Sequence, residues 1–502
     1  MIKIENNFGR INSSEPKLIN TLTQYLVIVD KSDRDNPKVL PLYEIDTNGD
    51  LLIPIGLLKF IPESVSRINV AIQDIPNEFN IDYDEIAHSF GDIVLRDDQL
   101  VAIRKMLLIR RGIMQLATGS GKTEIMAGFL MGLNKICGYI PDTMILEPTL
   151  LLVRSTVKRL KKYGINAKAY SSNRGKLSGV IVTHPASLNN DLEKNPKLLE
   201  TLKVFLSDEG HHLQSDTWNH LINSCSNIEF SIAMSASVIN PNRLPIKELG
   251  RLDYHEALVV GATGDVIMNV PPSFYIQKGI LANPILFRLA NPADEYCKKN
   301  YDWHQIRKNR LESEYRTQLV AKCSAFFASQ GYKSLILVGT KEHAYRILKL
   351  IHEYGLGDLC RCSFGGGAYY KWDSAKSEAI ICKDENTMEG FESGLFKIFI
   401  GTSHIYEGAD IPNLDAVVLS NAGKTLRKVI QGIGRAIRKT KTGKYAYIVD
   451  FTDHFDRILS SHSRSRREMC TSIIGVEPNH IYDSCSFETF KQKFCELEEL
   501  HQ

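Results

Sequence analysis

From about residue 90 onward, short apolar runs alternate with segments whose apolar residues follow helical spacing. Short apolar runs bounded by turn residues are typical of parallel strands buried on both faces. Their alternation with helical segments, such as 152–163, predicts a doubly wound α/β domain, which we place at residues 89–250. The predicted strands of this domain are 113–116, 143–146, 180–182, 204–206 and 231–234.

A second series of apolar runs predicts a second α/β domain at residues 251–455. Two consecutive prolines, Pro271 and Pro272, indicate an irregular connection near its start. The polar residues 456–502 predict a mostly helical C-terminal extension. The predicted strands of the second domain are 335–338, 398–400, 417–419 and 447–449.

The first 88 residues have a different pattern and contain no recognisable chemical motif. Apolar runs occur at 26–29 and 51–55, and the polar segment 46–50 separates the second run from 40–45. Two such runs joined by a short polar segment predict a hairpin. We therefore expect a small α+β accessory domain at residues 1–88.

Charge and cysteine content narrow the class of protein. The 502 residues include 61 basic and 58 acidic side chains, a net charge of +3, so any nucleic-acid contact must come from a local patch. The ten cysteines are scattered and include no C-x-x-C pair, which is typical of reduced thiols. The chain start lacks signal-peptide features and no apolar run could span a bilayer. We thus expect a protein with no membrane association, in the cytoplasm or, if viral, the host cytoplasm.

The segment 117–123 is the strongest chemical signal, because it follows a predicted strand and opens a predicted helix, as a phosphate-binding loop does. Glycines let backbone N–H groups turn toward an anion at the positive end of a helix. Lys122 would reach the β- and γ-phosphates, and the Thr123 hydroxyl would bind Mg²⁺. Leu116 stands where the full pattern has glycine, but the context disfavours a chance glycine-rich turn. The predicted nucleotide-binding residues are Ala117, Thr118, Gly119, Ser120, Gly121, Lys122 and Thr123.

An acidic pair, Asp208 and Glu209, follows the predicted strand 204–206. Such a pair is by itself commonplace, and a solvated turn is then the default interpretation. Downstream of a phosphate-binding loop in the same α/β unit, however, one carboxylate can hold Mg²⁺ and its neighbour can act on the attacking water. We therefore expect Asp208 to be a metal ligand and Glu209 to be a general base.

The third signal is the segment 431–438, in which Arg435 and Arg438 would share one face of a helix. Such a pair can act as arginine fingers on the phosphate charge that develops in a transition state. The alternative is a solvated basic helix face, which Gly432 and Gly434 disfavour.

Together these segments resemble the motifs of superfamily 2 helicases and translocases. Segment 117–123 is similar to motif I, and 208–211 to the DExH form of motif II. The DExH form and segment 407–412 resemble the XPB-like and phage UvsW-like branch, and also restriction-enzyme motor subunits. Further matches, in the expected order, are 96–99 ahead of motif I, 148–150 with motif Ia, 183–187 with motif Ib, 235–237 with motif III, 401–403 plus 407–412 with motif V, and 431–438 with motif VI.

The resemblance implies two RecA-like, doubly wound parallel-sheet motor domains that use ATP and Mg²⁺. It implies an ATP-dependent helicase or translocase that remodels single-stranded, duplex or branched DNA in recombination, repair or replication. The implied catalytic residues are Lys122, Asp208, Glu209, His211, Gln431, Arg435 and Arg438. Further nucleotide contacts are implied for Arg96, Gln99, Gly408 and Asp410. Nucleic-acid contacts are implied for Thr149, Arg154, Thr183, Ser187, Thr340 and Thr402.

Other functions stay open at this point. They are a motor subunit of a restriction-type complex, an RNA helicase, and a non-catalytic nucleic-acid clamp. The intact Lys122 and Glu209, together with both arginines of segment 431–438, disfavour the clamp. The domain at 1–88 is similar in layout to the accessory DNA-binding domain of UvsW-like proteins. The basic cluster 462–467 is a further candidate nucleic-acid contact, with a solvated helix face as its alternative.

Overall fold

The computed structural model divides the chain into two compact units. The first comprises Met1–Ala117 and Gly121–Val270, and the second comprises Thr118–Ser120 and Pro271–Gln502. In the part of the chain that the structure describes, no helix is long and apolar enough to cross a membrane. The described residues are 2–5, 7–30, 38–61, 68–69, 81–91, 93–171, 177–290, 305, 307–364, 368–382, 387–402, 414–421, 445–453 and 457–500.

The first unit begins with a small sheet, a hairpin and one helix. These elements are β1 (Ile2–Glu5), β2 (Phe8–Ile11), α1 (Pro16–Tyr25), β3 (Val27–Asp30), β4 (Lys38–Pro41), β5 (Glu44–Ile45), β6 (Leu51–Pro54) and β7 (Ile68–Asn69). The sheet has the order β5–β6–β2–β1–β7, and β3 pairs with β4 separately. The hairpin predicted around 46–50 is confirmed by the antiparallel pairing of β5 with β6. Asp46 Oδ1 closes its turn by accepting bonds from the backbone N–H groups of Asn48 (2.9 Å) and Asp50 (3.0 Å).

This N-terminal sheet shares an apolar core with the residues that follow it. Leu51 and Leu57 belong to the same buried cluster as Leu199 and Val260. At Gly56 the backbones approach so closely that an added Cβ would lie 1.8 Å from Val260 O. The expected domain boundary after residue 88 therefore does not separate two compact units.

The main sheet of the first unit is entirely parallel. Its strands are β8 (Arg111–Leu116), β9 (Thr143–Leu146), β10 (Ala167–Ala169), β11 (Val180–Thr183), β12 (Val204–Ser207), β13 (Phe230–Ser235) and β14 (Val266–Val270). The helices are α2 (Tyr83–Ala87), α3 (Asp97–Ile109), α4 (Lys122–Cys137), α5 (Leu150–Lys162), α6 (Pro185–Lys194), α7 (Asp216–Asn223) and α8 (Tyr254–Thr263). The strand order β10–β11–β9–β12–β13–β8–β14 is doubly wound, which confirms the predicted fold class. Every residue of β9 and β12 is buried, as expected for strands covered on both faces.

Strand β14 corrects the predicted end of the first α/β domain at residue 250. It pairs in parallel with β8, with Asn269 opposite Gln115. The Gln115 side chain also donates to Asn269 Oδ1 at 3.2 Å. The first domain therefore continues to Val270, where the first unit ends.

The second unit contains a larger sheet with a parallel centre. Its strands are β15 (Asn283–Ala290), β16 (Ser334–Leu337), β17 (Cys360–Ser363), β18 (Tyr369–Asp373), β19 (Glu378–Ile381), β20 (Ile398–Gly401), β21 (Ala416–Leu419), β22 (Tyr445–Thr452) and β23 (Ile481–Cys485). The helices are α9 (Pro272–Gln277), α10 (Glu314–Ser329), α11 (Lys341–Glu353), α12 (Thr387–Ser393), α13 (Arg457–Met469) and α14 (Phe487–Glu499). The order is β19–β18–β17–β20–β16–β21–β22–β15–β23, in which β18 and β19 form an antiparallel edge.

The C-terminal residues 457–500 are mostly helical, as predicted, but they are part of the second unit rather than a separate extension. Strand β23 pairs in parallel with β15, and Phe490 and Phe494 of α14 are buried in the same apolar core. Arg466 of the basic cluster is buried on α13, where its Nε lies 2.9 Å from Asp450 Oδ1. Arg466 is therefore not available to nucleic acid, which corrects that part of the cluster's candidate role.

Candidate active site

The loop between β8 and α4 has the geometry of an anion-binding turn. Its glycines Gly119 and Gly121 have φ values of +84° and +87°, in the left-handed region that favours glycine. A Cβ at Gly121 would lie 2.3 Å from Gln99 Nε2, so this position also requires glycine for space. Because α4 begins at Lys122, the loop lies at the positive end of that helix, where backbone N–H groups favour phosphate.

Lys122 lies beside both members of the acidic pair. Its Nζ is 3.8 Å from Asp208 Oδ1 and 3.6 Å from Glu209 Oε1. The carboxylates follow β12 and the lysine follows β8, and parallel strands bring such residues to one edge of the sheet. The structure therefore brings together the lysine and the carboxylates that the sequence predicted separately.

The two carboxyl groups differ in their proton affinity. Burial tends to raise the pKa of Glu209, but the Lys122 charge and hydrogen bonds from His211 and Ser235 outweigh it and hold that pKa well below its ordinary value. Burial raises the pKa of Asp208, and the Lys122 charge offsets part of this effect. The surroundings therefore shift the two pKa values in opposite directions, and the ionised form is favoured more strongly at Glu209 than at Asp208.

The orientation of Glu209 is fixed by backbone and side-chain contacts. Its φ of +47° is left-handed, which costs a non-glycine residue about 1–3 kcal/mol. Ser235, at the end of β13, donates from Oγ to Glu209 Oε2 at 3.1 Å. His211 Nδ1 lies 3.0 Å from the same Ser235 Oγ and 3.3 Å from Glu209 Oε2. His211 and the motif III serine thus hold one carboxylate in one orientation.

Gln99 and Arg96 lie at the start of α3, next to the loop. Gln99 is buried, and its Oε1 accepts a hydrogen bond from the backbone N–H of Arg96 at 3.0 Å. The Arg96 guanidinium bonds to Asp98 through Nε at 2.9 Å. Gln99 therefore lies against the phosphate-binding turn, while the Arg96 side chain is held by its own helix. Thr123, the predicted metal ligand, is buried on the first turn of α4.

The predicted nucleic-acid residues of the first unit differ in their exposure. Thr149 caps α5 by accepting a bond from Leu152 N at 3.3 Å, and Arg154 is exposed on the same helix. Ser187 is half-buried on α6. Thr183 is buried, and its Oγ1 donates to His184 O at 3.2 Å, so its side chain is not presented to a ligand.

The remaining predicted site residues lie in the second part of the chain. Thr340 caps α11 by accepting a bond from His343 N at 3.2 Å, and its hydroxyl donates to Glu312 Oε1 at 2.8 Å. Thr402 is buried just after β20. Five predicted residues lie outside the described residues, namely Gly408, Asp410, Gln431, Arg435 and Arg438.

Two buried carboxylates near the site were missed by the sequence analysis. Glu147 follows β9 directly and is fully buried, and Glu124 lies on the first turn of α4. Burial and then the charge of Asp208 raise the pKa of Glu147 well above its ordinary value. The available signal was an acidic residue placed between a buried strand and Pro148 of motif Ia.

Two family models each match a part of the chain. Residues 92–240 match the model described as "Type III restriction enzyme, res subunit", and residues 317–440 match "Helicase conserved C-terminal domain". The chain is 21% identical over 382 residues to the DNA 3'-5' translocase XPB2 of Sulfurisphaera tokodaii. That match covers 69% of this chain and 79% of XPB2.

Solved structures of low sequence identity share the fold. Dbp5 of S. cerevisiae bound to RNA and ADP BeF3 is 16% identical with a TM-score of 0.52, covering 82% of this chain and 98% of that chain. The helicase MrfA bound to DNA and AMPPNP is 15% identical with a TM-score of 0.52, covering 81% of this chain and 53% of that chain. These likenesses confirm the predicted fold of the chain, with two RecA-like α/β domains.

Proposed function

Because the chain is a superfamily 2 helicase, an ATP-hydrolysing motor of the XPB-like and restriction-motor branch, we propose that its substrate is DNA. The proposed activity is that of a helicase or translocase that remodels duplex or branched DNA, in recombination, repair or replication. The observation that carries the motor function is the convergence of Lys122 with Asp208 and Glu209 at one sheet edge. The choice of DNA is supported by the similarity to XPB2 and to the restriction-subunit model.

In this proposal Lys122 binds the terminal phosphates of ATP, and Glu209 accepts a proton from the attacking water. The low pKa of Glu209 keeps it in the ionised form that a general base needs, and its position beside Lys122 supports the role. Ser235 and His211 would keep its carboxylate aimed at the water. Gln99, against the phosphate-binding turn, would contact the nucleotide base.

The hydroxyl of Thr123 and the carboxylate of Asp208 form an oxygen donor set that suits Mg²⁺. We propose that these two residues hold the ion, which when bound neutralises charge on the phosphates. Gln431, Arg435 and Arg438 are proposed to complete the ATP site, on the evidence of their sequence motif. Gly408 and Asp410 are proposed nucleotide contacts on the same grounds.

Thr149, Arg154, Ser187 and Thr340 are proposed contacts to the nucleic-acid backbone. Thr402, which is buried, is proposed on the evidence of its sequence motif. Hydroxyl and guanidinium groups at helix starts position phosphates without reading bases. Thr183 is proposed to contribute through its backbone, because its side chain is buried.

A restriction-type motor subunit is a second candidate, favoured by the family model over residues 92–240. The two candidates differ in whether the chain acts alone. Phosphate release from ATP would be measured on the purified full chain with single-stranded, duplex, forked and four-way DNA, and with RNA. We expect the largest stimulation by duplex or branched DNA, together with strand separation or migration by the chain alone. A larger stimulation by RNA would contradict the assignment of DNA.

A further inference from the structure

Helix α5 carries two of the residues proposed to contact DNA. Thr149 caps its first turn, and Arg154 is exposed one turn later. A ligand bound to these residues can shift α5, and the shift is transmitted through the contacts that hold α5 to the rest of the domain. The contacts on the buried side of α5 therefore determine which residues respond to nucleic-acid binding.

Glu147 fixes α5 from inside the domain. Its Oε1 accepts a hydrogen bond from Thr156 Oγ1 at 2.6 Å, in a fully buried position. Among the described residues its second oxygen, Oε2, has no hydrogen-bond partner, so the bond to Thr156 alone orients the carboxyl group. The backbone N–H of Glu147 also donates to Thr183 O at 2.9 Å. One residue thus contacts α5 and the strand end of motif Ib.

Glu147 also lies beside the catalytic carboxylates. The carbonyl of the preceding residue, Leu146, accepts a bond from the backbone N–H of Asp208 at 3.0 Å. The charge of Asp208 contributes to the raised pKa of Glu147, so the two carboxyl groups interact electrostatically. A shift of the strand end at Glu147 would therefore reach Asp208 through the backbone bond to Leu146 O.

A second carboxylate fixes the other end of α5. Glu124, on the first turn of α4, accepts a bond from Tyr163 Oη at 2.5 Å and pairs with Arg159. Helix α5 is thus bonded to the helix that opens at Lys122 and to the strand end beside Asp208. Movement of α5 would consequently be transmitted both to Lys122 and to Asp208.

We propose that Glu147 is a positioning residue that, through its bond to Thr156, makes nucleic-acid contact at α5 raise the rate of ATP hydrolysis. This inference rests on the proposed function, because it requires nucleic acid to bind at α5. Glu147 itself contacts neither the nucleotide nor the attacking water in this mechanism.

The test compares Thr156→Val, which keeps the side-chain shape but removes the hydroxyl, with the matched control Thr156→Ser, which keeps the hydroxyl. Phosphate release is measured on the full chain at saturating ATP over a titration with forked DNA. We expect the valine variant to keep the DNA-free rate and the half-saturating DNA concentration. Its DNA-stimulated rate should fall about fivefold or more, as for other couplings between sites. The serine variant should be stimulated like the wild type.

Substitutions of Glu147, the acceptor of the bond from Thr156, provide an independent test. Glu147→Gln keeps an acceptor oxygen for Thr156 and should retain stimulation, while Glu147→Leu should lose it. Wild-type stimulation of Thr156→Val would overturn the inference. An equal loss of the DNA-free and stimulated rates would also overturn it, because the bond would then serve only the fold. A wild-type chain that no nucleic acid stimulates would instead overturn the proposed function, and the inference with it.

Discussion

Both units bury charged side chains near the ends of parallel strands, but the two sets differ in their distances. In the first unit Lys122 Nζ lies 3.6 Å and 3.8 Å from two carboxylates, beyond ordinary hydrogen-bond length. In the second unit Arg466 Nε lies 2.9 Å from Asp450 Oδ1. The neighbouring Arg316 Nη1 lies 2.6 Å from Asp453 Oδ1, and both arginines are almost fully buried.

The difference in distance distinguishes a lysine that can exchange its partners, Lys122, from two arginines that cannot, Arg316 and Arg466. Lys122 can turn toward a phosphate without breaking a short bond to either of these two carboxylates. A buried arginine with short bonds leaves an uncompensated charge if it moves, which costs several kcal/mol. Burial of charge alone therefore does not identify an active site, and the glycine loop beside Lys122 is what distinguishes the first set.

The largest expected effect is the loss of ATP hydrolysis in Lys122→Ala. Removing one cation that stabilises phosphate charge should lower turnover about 10³-fold, while the fold and DNA binding are retained. Phosphate release and DNA binding by the purified variant measure this. The control is Lys135→Ala, on the same helix but exposed and paired with Glu85, which should hydrolyse ATP normally. Substantial turnover by Lys122→Ala would place the phosphate contact elsewhere.

The second effect concerns stability. Arg466→Ala should lower the free energy of unfolding by about 3–5 kcal/mol, because buried Asp450 would keep, among the described residues, only Arg288, whose Nε lies 3.9 Å away. Denaturant unfolding measures this loss, and ATP hydrolysis at low temperature should persist in the folded molecules. A stability change below about 1 kcal/mol would show that the buried network does not hold helix α13.

The smallest effect on stability is expected for the adjacent residue, Arg467. Arg467 is 44% exposed and its Nε lies 2.9 Å from Asp483 Oδ2, so Arg467→Ala should cost about 1 kcal/mol or less. The same unfolding experiment compares it with Arg466→Ala. Equal losses for the two variants would contradict the distinction between the buried and the exposed pairs.

The strand–loop–helix context of 117–123 was predictable because its signals are local in sequence. The buried strands β9 and β12 were predictable for the same reason, since each is a continuous apolar run. The extent of the first domain was not. Strand β14 is only partly buried and contains Asn269, and its place beside β8 depends on a pairing between distant residues.

The burial and the partners of charged residues were likewise not predictable from local sequence patterns. Arg466 and Arg467 are adjacent in one basic run, and no local pattern distinguishes the buried from the exposed one. Glu147 is an isolated acidic residue whose bond to Thr156 becomes visible only when β9 and α5 pack together. The motif residues were found because their spacing is characteristic, whereas their supporting partners have no such spacing.

The most direct test of the central claim is phosphate release by Glu209→Gln beside the wild type, with and without DNA. The amide keeps the size of the side chain but cannot accept a proton. We expect the variant to bind ATP with near-normal affinity and to turn over at least about 10²-fold more slowly. The wild type should be stimulated by DNA in the same experiment. Turnover by Glu209→Gln at the wild-type rate would contradict the claim that the carboxylates beside Lys122 form the hydrolytic site.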